Sequence, residues 1–155
     1  MSRRAVGKKA QSGGRNAQDV VVMQLRAMGF LMVEQTATPA RYIPHPSIRG
    51  YFRVVRDEKV SADIVALPPD GTGRRVMVEV KNTSGDENLA YSQFKPHQLE
   101  RLAENERGGG VSVIAWVRPF GQFYMRFPAV VGLVPRKSIA PDYAAILDAE
   151  FMATL

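Results

Sequence analysis

The chain of 155 residues has no cysteine. A disulfide framework, a zinc-thiolate site and a cysteine nucleophile are therefore excluded together, and the composition is compatible with a reducing cytoplasm. Long hydrophobic runs are missing as well: the apolar stretch 111 to 117 falls far short of the roughly 20 residues that span a bilayer. No signal peptide fits residues 1 to 15, which carry charge but no apolar core. That same stretch lacks any acidic residue. Its five cations, Arg3, Arg4, Lys8, Lys9 and Arg15, supply most of the formal net charge of +6, so the rest of the chain is nearly neutral.

With 45% hydrophobic and 23% charged residues, the composition is that of one globular domain able to bury a core unaided. Residues 1 to 15 also hold Gly7, Gly13, Gly14, Ser2, Ser12 and Gln11, and read as a flexible basic arm. Such an arm attracts phosphate through counterion release, or simply keeps the chain soluble. The folded part has to decide between these.

Asn16 or Asp19 can cap a helix running to about Met28, with Gly29 as its stop. Residues 30 to 33 then read as a strand. Residues 36 to 59 lose periodicity, with Pro39, Pro44 and Pro46, and Arg41, Arg49, Arg53, Arg56 and Lys59 are interleaved with Tyr42, Tyr51 and Phe52. Segments like this inside a compact domain tend to be functional: aromatic rings stack on exposed bases while arginines contact phosphate. Residues 62 to 67 and 74 to 81 form two strands around Pro68-Pro69-Asp70-Gly71-Thr72-Gly73, which is hairpin turn chemistry. In the second strand Val76, Val78 and Val80 alternate with Met77, Glu79 and Lys81, giving one apolar face.

A polar loop, residues 82 to 93, leads to a helix opened by Pro96 and closed by Gly108-Gly109-Gly110. Residues 111 to 117 are a buried strand by composition, with Trp116 as core, and residues 122 to 127 pair with it across Pro119-Phe120-Gly121. Pro141-Asp142 opens a last helix with Tyr143, Ile146, Leu147 and Phe151 on one side. The expected architecture is an α/β layer with a mixed sheet flanked by helices.

Glu79 and Lys81 lie two residues apart on a strand, so both leave one face of the sheet. The hairpin brings Asp63 close to Glu79. Two carboxylates offer hard oxygen ligands for Mg²⁺ or Mn²⁺, and a nearby lysine can stabilise charge on a phosphoryl transition state. This is minimal apparatus for hydrolysing a phosphodiester. A Glu-x-Lys pair on a strand is also an ordinary solvated pairing, worth less than about 1 kcal/mol, so the surroundings have to discriminate. His97 and His45 read as a first-turn residue and a loop residue. Lys95 and Asn82 flank the site and suit either phosphate or solvent.

Asp63 followed after a hairpin by Glu79-x-Lys81 resembles the core of the PD-(D/E)XK nuclease superfamily, and more closely RecU-type Holliday junction resolvases of bacteria and phages. The similarity is carried by Gly29-Phe30 through Thr38-Pro39, Gly50-Tyr51-Phe52, Val60-Ser61-Ala62-Asp63, Val78 through Thr83, Phe94 through Glu100, and Gly109-Gly110-Val111. It implies a restriction-endonuclease-like core and a homodimer making paired symmetric nicks in four-way DNA junctions. Asp63 and Glu79 would ligate Mg²⁺, or Mn²⁺, with Ser61 and Gln98 completing the site and Lys81 stabilising the transition state. Residues 36 to 59 would be a stalk at the junction centre, and Lys95 and the basic arm would contact DNA. Ala62 stands where the superfamily's name has proline. The glutamate that many members carry in the first helix has Gln18 and Asp19 as candidate counterparts, and Arg15 corresponds loosely to an N-terminal arginine. The rival readings are a PD-(D/E)XK nuclease acting on other DNA and a catalytically silent DNA-binding module.

Overall fold

The computed structural model describes residues 3–36, 40–56, 62–132 and 138–155, the side chains of 3–12, 15, 40, 41 and 56 aside. In chain order the elements are α1 (Arg3–Ala27), β1 (Leu31–Gln35), β2 (Ala40–Pro44), β3 (Phe52–Arg56), β4 (Ile64–Leu67), β5 (Val76–Asn82), β6 (Leu89–Ala90), a 3₁₀ turn (Tyr91–Gln93), α2 (Pro96–Arg107), β7 (Val111–Arg118), β8 (Gly121–Arg126), α3 (Phe127–Val131), β9 (Ser138–Ile139) and α4 (Pro141–Met152).

The central sheet has the order β1-β4-β5-β7-β8. Its β4–β5 and β7–β8 pairs are antiparallel, while β5 and β7 run parallel. A parallel pair cannot be closed by a tight turn, so the chain crosses between them through α2. The sheet is therefore mixed and covered by helices, as expected. On one face Val76, Val78, Val113 and Ala115 meet Val21, Val22 and Leu25 of α1. On the other, Met77, Ile114, Trp116 and Met125 meet Leu102 of α2 and Leu147 of α4.

This double cover corrects the expectation of a single apolar face on β5. Met77 and Glu79 are as buried as the valines, at 4% and 2% exposure, because α2 closes the face that alternation had assigned to solvent. The basic arm is corrected too: α1 begins at Arg3, well before Asn16 or Asp19. Arg, Ala, Lys and Gln are strong helix formers, and no proline interrupts them, so two central glycines do not end the helix. Its C-terminus is the one expected. Gly29, at φ 87°, lets its own N–H donate to Arg26 O and that of Phe30 to Leu25 O, each at 3.0 Å, the double bond pattern that a left-handed glycine permits.

Residues 36 to 59, which lack periodicity, contain a two-stranded ribbon separate from the main sheet, with Tyr42 opposite Val54 and Pro44 opposite Phe52. Tyr42, Phe52 and Val54 on one face of the ribbon are exposed, and Ile43 and Val55 on the other are half-buried, so burial imposes only a weak alternation on the sequence. The polar loop expected over residues 82 to 93 holds β6, paired with β9. On α4 the buried residues are Ala144, Leu147 and Phe151, whereas Ile146 is 56% exposed. At 3.6 residues per turn, 146 is turned about 100° or more from each of 144, 147 and 151, on the side away from the buried stripe. Among the described residues no helix is long and apolar enough to cross a membrane.

Candidate active site

The β4–β5 register pairs Ile64 with Val78, which sets Asp63, the residue before β4, opposite Glu79. Both acids are buried, Asp63 at 8% and Glu79 at 2% exposure. A buried carboxylate is stable only when hydrogen-bonded or paired with a cation, and each acid here is served. Asp63 Oδ2 accepts the Val80 backbone N–H at 2.8 Å, and its Oδ1 accepts the Gln18 side-chain amide at 2.8 Å. The backbone around Asp63 is fixed from β1's end, where the Thr36 N–H donates to Asp63 O at 2.9 Å and the Thr36 hydroxyl donates to Ala62 O.

Glu79 Oε1 receives Lys81 Nζ at 3.1 Å and the Gln98 amide N–H. Gln98 Oε1 accepts Lys81 Nζ at 2.9 Å and the Lys95 backbone N–H at 3.0 Å. One amide thus ties the start of α2 to both polar residues of β5. Lys81, with 11% of its side chain exposed, also lies over the Phe94 ring, 5.1 Å from the centroid, which holds the ammonium by its charge against the π face. The Glu79/Lys81 pair is a buried, networked pair rather than a solvated surface one.

Of the two first-helix candidates, the structure brings Gln18 to Asp63. Asp19 turns away and accepts the Gln35 side-chain amide at 2.6 Å. A lone polar residue on a long helix gives no sequence signal for which side it faces when the neighbouring residue is also polar. Replacing Gln18 by Ala is expected to leave a buried carboxylate oxygen short of a donor and to cost about 1–3 kcal/mol of stability, checked by urea denaturation.

The other candidates are placed as follows. Ser61 and Lys59 lie outside the described residues. Arg3, Arg4, Lys8, Lys9 and Arg15 sit on α1, whose Gly13 comes close to the site's rim: a Cβ there would lie 3.8 Å from Asn82 Nδ2. Arg41 and Arg56 belong to the ribbon strands. Arg49 and Arg53 are exposed, as are Tyr42 at 76%, Tyr51 at 66% and Phe52 at 64%. Lys95 is exposed at the start of α2. His45 is a loop residue, its Nδ1 accepting the Ser47 N–H at 3.2 Å. Trp116 is fully buried. Tyr124 is not a candidate acid, since burial and the Asp148 carboxylate push its phenol well above the usual range.

A cleft of about 710 Å³ lies at the far end of β5, against Arg74, Arg75 and Arg101. Arg74 and Arg101 are there engaged by Asp70 and Glu104. The carboxylates, not this cleft, mark the chemistry, since no buried acid lines it.

By sequence the chain matches no family model and no curated protein. By structure it is similar to Hjc, a Holliday junction resolvase from the archaeon Archaeoglobus fulgidus, with a TM-score of 0.52 over 74% of this chain and 78% of that one, at 17% identity. The chain has the Hjc fold. A second solved structure, SSO0001, overlaps at a TM-score of 0.34 and 16% identity, over 83% of this chain and 54% of that one. The Hjc likeness settles the architecture as the restriction-endonuclease-like one, a mixed sheet flanked by helices.

Proposed function

We propose that the chain is a Mg²⁺-dependent endonuclease that resolves four-way DNA junctions by paired symmetric nicks, acting as a homodimer. The observation that carries this reading is the buried pair Asp63 and Glu79 across the β4–β5 hairpin, with the Lys81 ammonium 3.1 Å from Glu79, on the Hjc fold. Two opposing strands are cut at symmetric positions in such a reaction, and a two-fold dimer supplies two equivalent sites.

The donor set suits a hard cation. It is all oxygen, from two carboxylates, with the Gln98 amide oxygen engaged by Lys81 and the Lys95 N–H, and among the described residues no group of three or more His, Asp or Glu gathers around it. Mg²⁺ is usually held by one or two carboxylates, the remaining positions going to water and phosphate oxygens. Mn²⁺ would meet the same ligands. Asp63 and Glu79 would hold the ion, with Gln98 and Ser61 beside them, and the ion would supply Lewis-acid neutralisation of the phosphoryl oxygens.

The chain's own groups do the rest. The Val80 N–H and Gln18 amide fix the Asp63 carboxylate in one orientation. Gln98 and the Phe94 ring hold the Lys81 ammonium, which donates to a nonbridging oxygen as negative charge builds on the phosphoryl group. No proton has to leave Lys81 for this role. The exposed aromatics and arginines of the β2–β3 ribbon present stacking and phosphate-binding groups to unpaired DNA, and the basic first turns of α1 add sequence-independent attraction.

A radiolabelled four-way junction incubated with Mg²⁺ should yield paired nicks, and EDTA should abolish them. Absence of cutting with every divalent metal tried contradicts the enzyme, as does cutting indifferent to EDTA.

A further inference from the structure

Arg118 closes β7, and its engagement within the protein is weak. Its ion pair with Asp86 is 3.8 Å long and Asp86 is 97% exposed, a geometry that contributes little in water. Its Nε is buried with no hydrogen-bond partner among the described residues, although just 14% of the side chain is exposed. An arginine so desolvated and so poorly paired is costly unless something else uses its donors.

Its position says what that would be. Trp116 is the register partner of Lys81 on the parallel strand β5, and Arg118 lies two residues beyond Trp116, so Lys81 and Arg118 leave the same face of adjacent strands. A strand spacing of ~4.8 Å and a rise of ~3.3 Å per residue set the two Cα atoms about 8 Å apart. At a rise of ~3.4 Å per nucleotide, that is a span of about two nucleotides of one DNA strand. The guanidinium lies 5.2 Å over the Trp116 ring, and the ring is itself anchored by its Nε1–H donating to Thr83 Oγ1 at 2.9 Å. Arg118 therefore stands on a rigid platform. A groove of about 230 Å³ lies on the α1 side of these strand ends, lined by Asn16, Ala17 and Val20 with Asn82, Thr83 and Val117, and Arg118 borders it.

We infer that Arg118, on the same face of the sheet as Lys81 and about two nucleotides from it, binds a backbone phosphate next to the one being cut. The inference rests on the nuclease reading above. The planar guanidinium matches a phosphate bidentately, which Lys cannot do, and the exposed Asp86 carboxylate, 3.8 Å away, is a weak competitor for it. Arg118 is a binding and positioning residue; the chemistry stays with the carboxylates and Lys81.

The test is binding of a fluorescent four-way junction in EDTA, where no cleavage is required, over a series of salt concentrations. Arg118→Gln should weaken binding about tenfold and lower the slope of log K against log salt by about one, as expected for one lost phosphate contact. Arg118→Lys should keep the slope and lose part of the affinity, and Asp86→Asn should bind at least as tightly as wild type. If Arg118→Gln binds with wild-type affinity and slope, the inference is overturned while the nuclease reading stands. A fall in melting temperature and affinity with an unchanged slope, shared by the Gln and Lys variants, assigns Arg118 to the Trp116 platform alone and also overturns it. Wild-type protein that binds no DNA removes the function and the inference together.

Discussion

Lys81→Ala and Asp63→Asn should each slow junction cutting by about 10²- to 10³-fold under single-turnover conditions, with junction affinity nearly unchanged. Lys81 is held by Glu79 at 3.1 Å and by Gln98 at 2.9 Å, so its ammonium has a fixed place when charge develops on the phosphoryl group. Losing one preorganised donor of this kind typically costs 10²- to 10³-fold in rate. Asp63→Asn is close to isosteric, and an amide oxygen can still accept the Val80 N–H that now lies 2.8 Å from Oδ2. The fold should therefore survive while the negative charge that would hold the metal is lost. Equal binding with reduced cutting separates the two roles. Wild-type rates in both variants would show that these residues are not the reacting site.

The second large effect concerns the ribbon. Changing Tyr42 and Phe52 together to Ala should weaken junction binding by about 10²-fold, given ~1–3 kcal/mol for each base stacked on an aromatic ring. Cross-strand pairing of Tyr42 with Val54 and of Pro44 with Phe52 sets both rings on one face of the ribbon. With 76% and 64% of their surfaces exposed, neither ring contributes much to the core, so the melting temperature should stay near that of wild type. Affinity for linear duplex, which offers no unstacked bases, should change far less. Anisotropy on both substrates checks this, and an equal loss on both would assign the ribbon to general phosphate attraction.

The parts of the fold that could be read from sequence are those where local chemistry and global packing agree. Pro-Pro-Asp-Gly makes the β4–β5 turn, Pro96 opens α2, three glycines close it, and alternation on β5 places Glu79 and Lys81 together. What was illegible depended on partners far along the chain. Whether β5 has one buried face or two depends on α2 folding back over it. The choice between Gln18 and Asp19 depends on how α1 is rotated above the sheet, which a polar pair leaves open. The start of α1 was hidden because its glycines and serines read as a flexible arm although Arg, Ala and Lys carry the helix through. Gln98 entered through the family resemblance. Arg118 left no trace, since a charged residue at a strand end is ordinary until the Trp116 platform under it is seen.

The most direct measurement compares a radiolabelled four-way junction with a linear duplex of the same sequence, each with Mg²⁺ and with EDTA. Metal-dependent paired nicks in the junction, with the duplex left intact, are the expected result. Equal cutting of both substrates would contradict junction resolution, and no metal-dependent cutting of either would contradict a nuclease built on Asp63, Glu79 and Lys81.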